Sequence, residues 1–309
     1  MQVHKGLDHL PVFKNAVLTI GTYDGVHVGH QVIIQRINEL AAEINGESVV
    51  LTFDPHPRLV LNPNDRDLKL ISTIDEKIAL FEQFGLDHLV ITPFSTAFAS
   101  MDAQEYVEQV LVRRFHPKII VIGYDHRFGK GRTGDIDLLR ALGPQYGYTV
   151  EEISVQTIDE ISVSSTKVRK ALLEGNIRDA NAWLAHPFTL HGEVVHGDKL
   201  GRTLGFPTAN LNIADPYKLI PPPGVYAVWA DIGTQRYQGA LNIGYRPTVV
   251  DQGELRVEVF ILDFNGELYG KDIRLVFVDH IRSDQKFDSL DDLIKQMHKD
   301  VDQVRTILS

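Results

Sequence analysis

Ten residues, 21–30, decide the fold: Gly-Thr-Tyr-Asp-Gly-Val-His-Val-Gly-His. They follow the apolar run 16–20 and precede residues 31–44, whose apolar side chains recur at helical spacing. The stretch is therefore predicted to be a turn from a buried strand into a helix. Three further apolar runs alternate with helical patterns, at 48–53, 88–92 and 118–123. This alternation predicts a doubly wound α/β domain around a parallel sheet, in which ligands bind at the carboxyl ends of the strands.

The chemistry of residues 21–30 suits an anion. Glycine lets the backbone approach a phosphate closely, and the N–H groups at a helix start favour negative charge. His27 and His30 can donate hydrogen bonds to a nucleotide phosphate and spread the charge that builds in a transition state. One histidine alone would be interpreted as structural. Two of them, flanked by Gly25 and Gly29 at a strand-to-helix turn, favour a nucleotide site.

After residue 184 the pattern of the chain changes. Strand-like segments follow one another, separated by Gly, Asn and Pro turns, with no long helix between them. This pattern predicts an antiparallel barrel or sandwich. The chain ends in an amphipathic stretch, 289–308, with its apolar residues on one stripe. Because 309 residues suit two cores, we predict two domains, 1–184 and 185–309.

Composition narrows the class of protein. No apolar run approaches the roughly 20 residues of a membrane span, so we expect no membrane role and a cytoplasmic location. The formal net charge of −10 disfavours sequence-independent binding of nucleic acid. The chain has no cysteine, which excludes disulfides and cysteine-ligated metals. The oligomeric state stays open.

Two more segments of the first domain suit an anion. Arg127, Lys130 and Arg132 lie in a Gly-rich loop, for which a solvated surface turn is the alternative. Ser164, Ser165 and Thr166 bring hydroxyls to a helix start, with Arg169 one turn later, although helix capping alone would also explain the serines.

Two nucleotide-binding motifs are disfavoured or missing. Residues 129–134 match G-x-G-x-x-G, but they begin several residues after a strand and contain basic residues, which disfavours an NAD site. The chain contains no G-x-x-x-x-G-K-[ST] loop, so any kinase chemistry is not of the P-loop kind.

Residues 24–30 resemble the D-G-V-H-x-G-H form of the nucleotidyltransferase H-x-G-H signature. This form is typical of the FMN adenylyltransferase domain of bacterial bifunctional riboflavin kinase/FAD synthetases. Segments 52–57 (TFDPHP), 123–129 (GYDHRFG) and 164–169 (SSTKVR) resemble the same family. The resemblance implies that these segments line the ATP and flavin sites.

The resemblance assigns a role to each matching residue. It makes His27 and His30 catalytic. It implies ATP or phosphate contacts for Gly21, Tyr23, Asp24, Gly25, Gly29, Arg127, Ser164, Ser165, Thr166 and Arg169. It implies flavin contacts for Asp54, Pro55, His56, Asp125, His126 and Phe128. Tyr23 and His126 stand where the family more often has Phe, and His126 could alter the flavin contacts or their pH dependence.

The second domain opens with residues 201–210, GRTLGFPTAN. In an extended segment, Thr208 and Asn210 point the same way and present two neutral oxygens to one spot. Hard Mg²⁺ takes few protein ligands and keeps its waters and substrate phosphates, although a turn entering a strand would look the same. The segment resembles the riboflavin kinase P-T-A-N motif. Residues 242–248 (NIGYRPT) and 257–264 (VEVFILDF) resemble other motifs of the same family. The resemblance implies ATP contacts for Gly201 and Arg202, Mg²⁺ at Thr208 and Asn210, and flavin contacts for Asn242 and Arg282.

Glu258 interrupts a strand of strong β-formers. On the core side it would be a partly buried carboxylate, which suits a general base. Facing water it would be a routine solvated residue. The resemblance makes Glu258 the base that orients the ribityl 5′-hydroxyl of riboflavin toward the γ-phosphate of ATP.

The resemblance implies a bifunctional enzyme of FAD biosynthesis. With Mg²⁺ as cofactor, it would phosphorylate riboflavin with ATP to FMN, then adenylylate FMN with a second ATP to give FAD and pyrophosphate. Two alternatives stay open. One is a protein with a single activity whose other domain has decayed. The other is a flavin-binding storage or sensing protein, which would need neither the two histidines nor the pair Thr208 and Asn210.

Overall fold

The structure is a computed structural model that describes residues 1–65, 68–123, 126–153, 163–197, 201, 204–245 and 255–309. Asp125 and Arg202 lie outside the described residues, so the contacts predicted for them stay predictions. The chain divides into two compact units, Met1–Ser165 and Thr166–Ser309. The boundary predicted between residues 184 and 185 follows the last helix before the strands of the second unit.

A six-stranded parallel sheet forms the centre of the first unit. Its strands are β1 (Gln2–Lys5), β2 (Val17–Ile20), β3 (Ser48–Phe53), β4 (His88–Thr92), β5 (Ile119–Gly123) and β6 (Thr149–Ile153). They lie side by side in the order β1-β4-β3-β2-β5-β6. The predicted doubly wound sheet is confirmed, and its four central strands are the four predicted apolar runs. The edge strands β1 and β6 escaped prediction because they are short and partly polar.

Helices cover both faces of this sheet. They are Val28–Glu43, Pro57–Leu61, Ile74–Gln83, Thr96–Ala99, Ala103–Glu105, Arg113–Phe115 and Ile136–Tyr146, with a π-helical segment at Tyr106–Val112 and a 3₁₀ turn at Lys130–Arg132. Alternate residues of one strand enter two different apolar cores: Leu18 of β2 joins one and Val17 the other. This alternation is the packing that a sheet buried on both faces requires.

The helical segment between Asp102 and Arg114 is not uniform, since its middle, Tyr106–Val112, is π-helical. Asp102 does cap the start, since its carboxylate accepts a hydrogen bond from the Gln104 amide. π-Helical turns are rare overall, but those that occur are often found at functional sites. Tyr106 lines the cavity described below.

The second unit contains a closed antiparallel barrel, so the barrel rather than the sandwich is confirmed. Its strands are β7 (Thr189–Val195), β8 (Thr208–Asn212), β9 (Gly224–Ile232), β10 (Gln235–Tyr245), β11 (Leu255–Ile261) and β12 (Asp272–Ser283), in the order β10-β11-β8-β7-β12-β9. Helices Ser165–Leu173 and Ile177–Leu184 precede it, and helix Leu290–Ile307 follows. Val304 and Leu308 of the C-terminal segment pack against Ala227 of β9, which matches the predicted amphipathic stripe.

The polar and apolar residues of β8 and β11 alternate. Ala209, Val257 and Val259 are buried, whereas Thr208 and Glu258 are partly exposed. Apolar side chains therefore fill the barrel, and the polar residues face outward. No helix in the described part of the chain has the length and apolarity that a bilayer crossing requires.

Candidate active sites

The turn after β2 has an unusual backbone. Tyr23, Gly25 and Val26 have φ angles of 51°, 82° and 41°. Such angles suit Gly25 but strain the β-branched Val26. Strained residues of this kind cluster at ligand sites, where the surrounding structure holds them. A Cβ on Gly25 would also lie 2.9 Å from the Ile71 side chain, so both backbone and space require glycine here.

Asp24 is buried beside the segment that precedes helix Ile74–Gln83. Its Oδ1 accepts hydrogen bonds from the amides of Ile71 (2.9 Å) and Ser72 (3.1 Å), and the Gly25 amide donates to Ser72 Oγ (2.9 Å). Neither Asp24 nor Gly25 lines the cavity. The structure therefore gives both residues the task of holding the turn in place.

A cavity of about 870 Å³ opens at the carboxyl ends of the central strands. Its walls come from the segments that follow β2, β3, β4 and β5, as expected for a parallel sheet. The predicted site residues that line it are Gly21, Tyr23, His27, Gly29, His30, His126, Arg127, Phe128, Ser164 and Ser165. These residues come from three separate parts of the sequence, and the fold brings them to one cavity.

The two histidines of the turn are stacked. His27 occupies the N-cap position of helix Val28–Glu43 and His30 lies in its first turn, with ring centroids 3.7 Å apart. Burial, the neighbouring His27 and the positive charge of Lys77 hold the pKa of His30 well below its usual range. His30 is therefore neutral at pH 7 and donates through a single ring N–H.

Basic and hydroxyl groups line the same cavity. Arg127 and Arg132 are both present, and Arg127 Nη1 lies 2.7 Å from Asp135 Oδ2, which fixes its orientation. Ser165 Oγ donates to the Asp24 carbonyl oxygen at 2.9 Å, tying the helix start at Ser165 to the turn. Cations and hydroxyls at this spacing suit a chain of phosphates.

The cavity also has an aromatic wall, of which the sequence predicted only Phe128. Phe53 ends β3, and its ring centroid lies 5.4 Å from that of Phe94 and 5.7 Å from that of Phe98. Tyr106 continues the cluster to Phe128, at 5.4 Å. All five residues line the cavity. Ring spacings of this size are typical of favourable aromatic packing, and such a wall suits a planar heterocycle.

Besides Asp24 and Gly25, five other described residues predicted for this site do not line the cavity. Asp54 and Pro55 are exposed and His56 is buried, capping helix Pro57–Leu61 by accepting from the Arg58 amide. Their neighbours Phe53 and Pro57 line the cavity, whereas Asp54, Pro55 and His56 do not. The other two, Thr166 and Arg169, lie on helix Ser165–Leu173 within the second unit, where Thr166 is exposed and Arg169 half-buried.

A second cluster lies on the outer surface of the barrel. Asn242 of β10, Glu258 of β11 and Asn210 of β8 are in register across three neighbouring strands. All three face outward, and the Glu258 side chain is 26% exposed. The sequence left open which face of the strand carries the Glu258 side chain. In the structure this side chain faces away from the apolar barrel interior.

Thr208 belongs to the same cluster. Its Oγ1 lies 3.4 Å from Glu258 Oε2, to which it donates, and Arg256 Nη1 lies 3.7 Å from Glu258 Oε1. Gly197 lies against Asn210 so closely that a Cβ there would fall 2.3 Å from the amide nitrogen of Asn210. Gly201 lies nearby, with its Cβ position 3.4 Å from Thr208 Oγ1.

The donor set of this cluster fits a hard cation. The hydroxyl of Thr208 and the amide oxygen of Asn210 are oxygen ligands, which Mg²⁺ takes together with waters and substrate phosphates. Within the described ranges, no group of three or more His, Cys, Asp or Glu side chains is arranged to hold a metal ion. The described residues therefore form no metal site that is built from carboxylates alone.

Arg282, predicted to contact flavin, lies on β12 and pairs with Asp300 of the C-terminal helix. Phe287 lies beside its guanidinium, at 5.8 Å from the ring centroid. The contact with Asp300 had no signal in the sequence, because the two residues lie 18 positions apart on different elements.

Two family models account for the two halves of the chain in turn. The model described as FAD synthetase matches residues 10–167, and the model described as riboflavin kinase matches residues 184–308. The chain is thus an enzyme that transfers phosphorus-containing groups, with one catalytic domain in each half.

Whole-length relatives combine the same two domains. A bifunctional riboflavin kinase/FMN adenylyltransferase of Listeria monocytogenes is 36% identical over 96% of this chain and 93% of its own length. One of Pseudomonas fluorescens is 38% identical over 99% and 98%. A crystal structure described as a macrolide-efflux protein from Streptococcus pneumoniae is 33% identical and covers 98% of both chains, with a TM-score of 0.86. The chain belongs to the bifunctional riboflavin kinase/FMN adenylyltransferase family.

Proposed function

We propose that the cavity of the first unit is the site of FMN adenylylation and that the outer surface of the barrel is the site of riboflavin phosphorylation. The enzyme makes FMN from riboflavin and ATP, and FAD from FMN and ATP. The observation that carries the first assignment is a single cavity that joins the stacked histidines to an aromatic wall.

Adenylyl transfer needs no covalent enzyme intermediate. A phosphate oxygen of FMN attacks the α-phosphorus of ATP, and the bond to the β,γ-pyrophosphate breaks, so that pyrophosphate leaves. Negative charge builds on the phosphoryl oxygens, and His27, His30 and Arg127 stabilise it by donating hydrogen bonds. The aromatic residues Phe53, Phe94 and Phe98 hold the isoalloxazine ring and thereby position the FMN phosphate.

Phosphorylation of riboflavin needs an acceptor for the proton of the 5′-hydroxyl. Glu258 provides it on a partly exposed surface that a substrate can reach. Asn242 lies directly opposite Glu258 and is placed to contact the flavin. Mg²⁺, held by Thr208 and Asn210, would neutralise the phosphate charge of ATP when bound. The roles predicted for the other site residues stay predictions. A cytoplasmic location and the lack of a nucleic-acid partner also stay predictions.

One pair of variants tests both assignments. His30→Ala should abolish FAD formation from FMN and leave FMN formation intact, whereas Glu258→Gln should abolish FMN formation and leave FAD formation from added FMN intact. Flavins are separated by chromatography after incubation with ATP and Mg²⁺. Equal loss of both activities in either variant would contradict the assignment of that residue to one site. A wild-type chain that forms neither product would favour a flavin-binding protein.

A further inference from the structure

Lys77 is buried beside the turn that follows β2, and the chemistry described above gives it no role. It lies on helix Ile74–Gln83 with a relative exposure of 6%. Its Nζ donates a hydrogen bond to the Thr22 carbonyl oxygen at 3.3 Å. Thr22 lines the cavity between Gly21 and Tyr23. A buried lysine is rare unless it is paired, so its position calls for a reason.

The start of the Lys77 helix is fixed firmly. Thr73 and Glu76 form a reciprocal capping box, in which the Thr73 amide donates to Glu76 Oε2 (2.9 Å) and the Glu76 amide donates to Thr73 Oγ1 (3.3 Å). The two residues before it, Ile71 and Ser72, bind the Asp24 carboxylate. The turn is therefore joined to the helix and to the segment before it through Asp24, through Gly25 and through the bond of Lys77 to Thr22.

The charges around Lys77 keep its ammonium in place. Burial lowers the pKa of Lys77, and the carboxylates of Asp24 and Asp54 oppose that change. The positive charge of Lys77 thus has two carboxylates near it, those of Asp24 and Asp54. If the ammonium were removed, Asp24 would stay buried beside the turn without its cation, a costly arrangement.

The same ammonium acts on His30. Among the described residues, the His27 ring at 3.7 Å and the Tyr23 ring at 5.0 Å between centroids lie against the His30 ring, and the charge of Lys77 acts on it. Tyr23 is neutral at pH 7, because burial raises its pKa above the usual range. A second positive charge at His30 would be repelled by Lys77 and by any proton on His27.

We propose that Lys77 is a positioning residue of adenylyl transfer: its buried ammonium holds the Thr22 carbonyl oxygen and thereby the turn that leads into His27 and His30. It acts through Thr22 and His30 and does not itself line the cavity. The inference rests on the assignment of adenylyl transfer to this cavity. Neutral His30 is the active form, so FAD formation should fall as pH drops through the pKa of His30.

Lys77→Met, which removes the charge and keeps the length of the side chain, tests the inference. The kcat of FAD formation should fall roughly 10- to 100-fold through misplacement of the turn, with a smaller change in the KM for ATP. The acid limb of the pH profile of kcat/KM should move to higher pH, because loss of the positive charge lets the pKa of His30 rise. Labelled-histidine NMR should show the His30 ring, identified by its loss in His30→Asn, titrating at higher pH than in the wild type.

Three matched variants complete the test. Lys118→Met removes an exposed lysine of the same unit and should leave all three readouts unchanged. Lys77→Arg keeps the charge and should retain the wild-type pH profile, even if its kcat falls. Lys77→Gln repeats the test if Lys77→Met fails to fold.

Two results would overturn different claims. If neutral variants of Lys77 show wild-type kcat and an unchanged His30 titration, the role of Lys77 is wrong. If His30→Ala still forms FAD, the assignment of the cavity is wrong. FMN formation by the second unit, measured in every variant, shows that the chain is intact there.

Discussion

The guanidinium of Arg282 is held at two points by the carboxylate of Asp300. Arg282 Nε donates to Oδ1 at 3.0 Å and Nη2 donates to Oδ2 at 2.8 Å. The Asp300 side chain is only 5% exposed, and Gln296 Nε2 donates to its Oδ1 at 2.8 Å. The pair joins the last barrel strand to the C-terminal helix and fixes the side chain that we propose for flavin binding.

Asp300→Asn should destabilise the second unit by about 2 kcal/mol, because it leaves a largely buried Arg282 without its anion. The KM for riboflavin should rise as Arg282 loses its fixed orientation. Both tryptophans, Trp183 and Trp229, belong to the second unit, so tryptophan fluorescence in urea measures the stability of that unit. The control is Asp302→Asn, an exposed aspartate on the same helix. Equal effects of the two variants would argue against the ion pair.

Phe98→Ala should weaken binding of FMN at the first site. Phe98 contacts Phe53, Phe94 and Tyr106 in the aromatic wall, and loss of one aromatic contact is worth about 1 kcal/mol beyond burial. The KM for FMN should rise about tenfold or more, with the KM for ATP and FMN formation unchanged. Steady-state kinetics of FAD formation measure this. Val12→Ala, at a position that is 90% exposed, serves as control. A parallel rise in the KM for ATP would show a general disturbance of the cavity instead.

Gly197→Ala should reduce FMN formation and leave FAD formation from added FMN unchanged. The new methyl group would fall 2.3 Å from Nδ2 and 2.6 Å from Cγ of Asn210, so the whole amide group must move. We expect the Mg²⁺ concentration that gives half-maximal FMN formation to rise and kcat to fall. FAD formation from added FMN is the control within the same chain. An unchanged Mg²⁺ dependence would remove Asn210 from the proposed cation site.

Acid should destabilise the first unit, in part through His4. Its Nε2 lies 3.1 Å from His88 Nδ1, and His88 Nε2 lies 3.5 Å from Glu47 Oε2. Burial, together with His88, lowers the pKa of His4 from 6.5. The unfolded chain therefore binds a proton at a pH where the folded chain does not, and stability falls as pH drops below about 6.5 toward the lower folded pKa.

His4→Gln should reduce this dependence on pH. Far-UV circular dichroism follows thermal unfolding between pH 8 and pH 5, as rough limits that bracket the histidine range, while tryptophan fluorescence separates out the second unit. His30, whose pKa is also lowered, acts in the same direction, so the slope should shrink and not vanish. If the variant and the wild type lose stability in parallel, His4 does not contribute.

Prediction from the sequence succeeded where local chemistry and periodicity coincide. His27 and His30 could be recognised because glycines and a helix start surround them in one stretch. Phe94 and Phe98 could not, because they follow β4 in a segment without a period, and their partner Phe53 ends another strand. The convergence of such residues is a property of sheet order, which no single segment contains.

Two other features were hidden for different reasons. Lys77 looks like any solvated lysine of an amphipathic helix, and only the fold shows that it is buried. The orientation of Glu258 was ambiguous because Phe260, two residues on, is apolar on the same outer face. The structure explains this: Phe260 packs against the cluster that contains the C-terminal helix residue Val304. Where a helix covers part of a barrel, apolar residues lie on both faces of a strand, so the sequence pattern does not show which face points to the interior.

The outward row of Asn210, Asn242 and Glu258 has a consequence for the history of such chains. None of the three contributes to the apolar filling of the barrel, so replacing any of them leaves no cavity in its interior. The apolar core of the second unit therefore does not depend on the residues that we propose for kinase activity. A lineage that obtained FMN from elsewhere could lose the kinase by drift while its second domain kept its fold and its place in the chain.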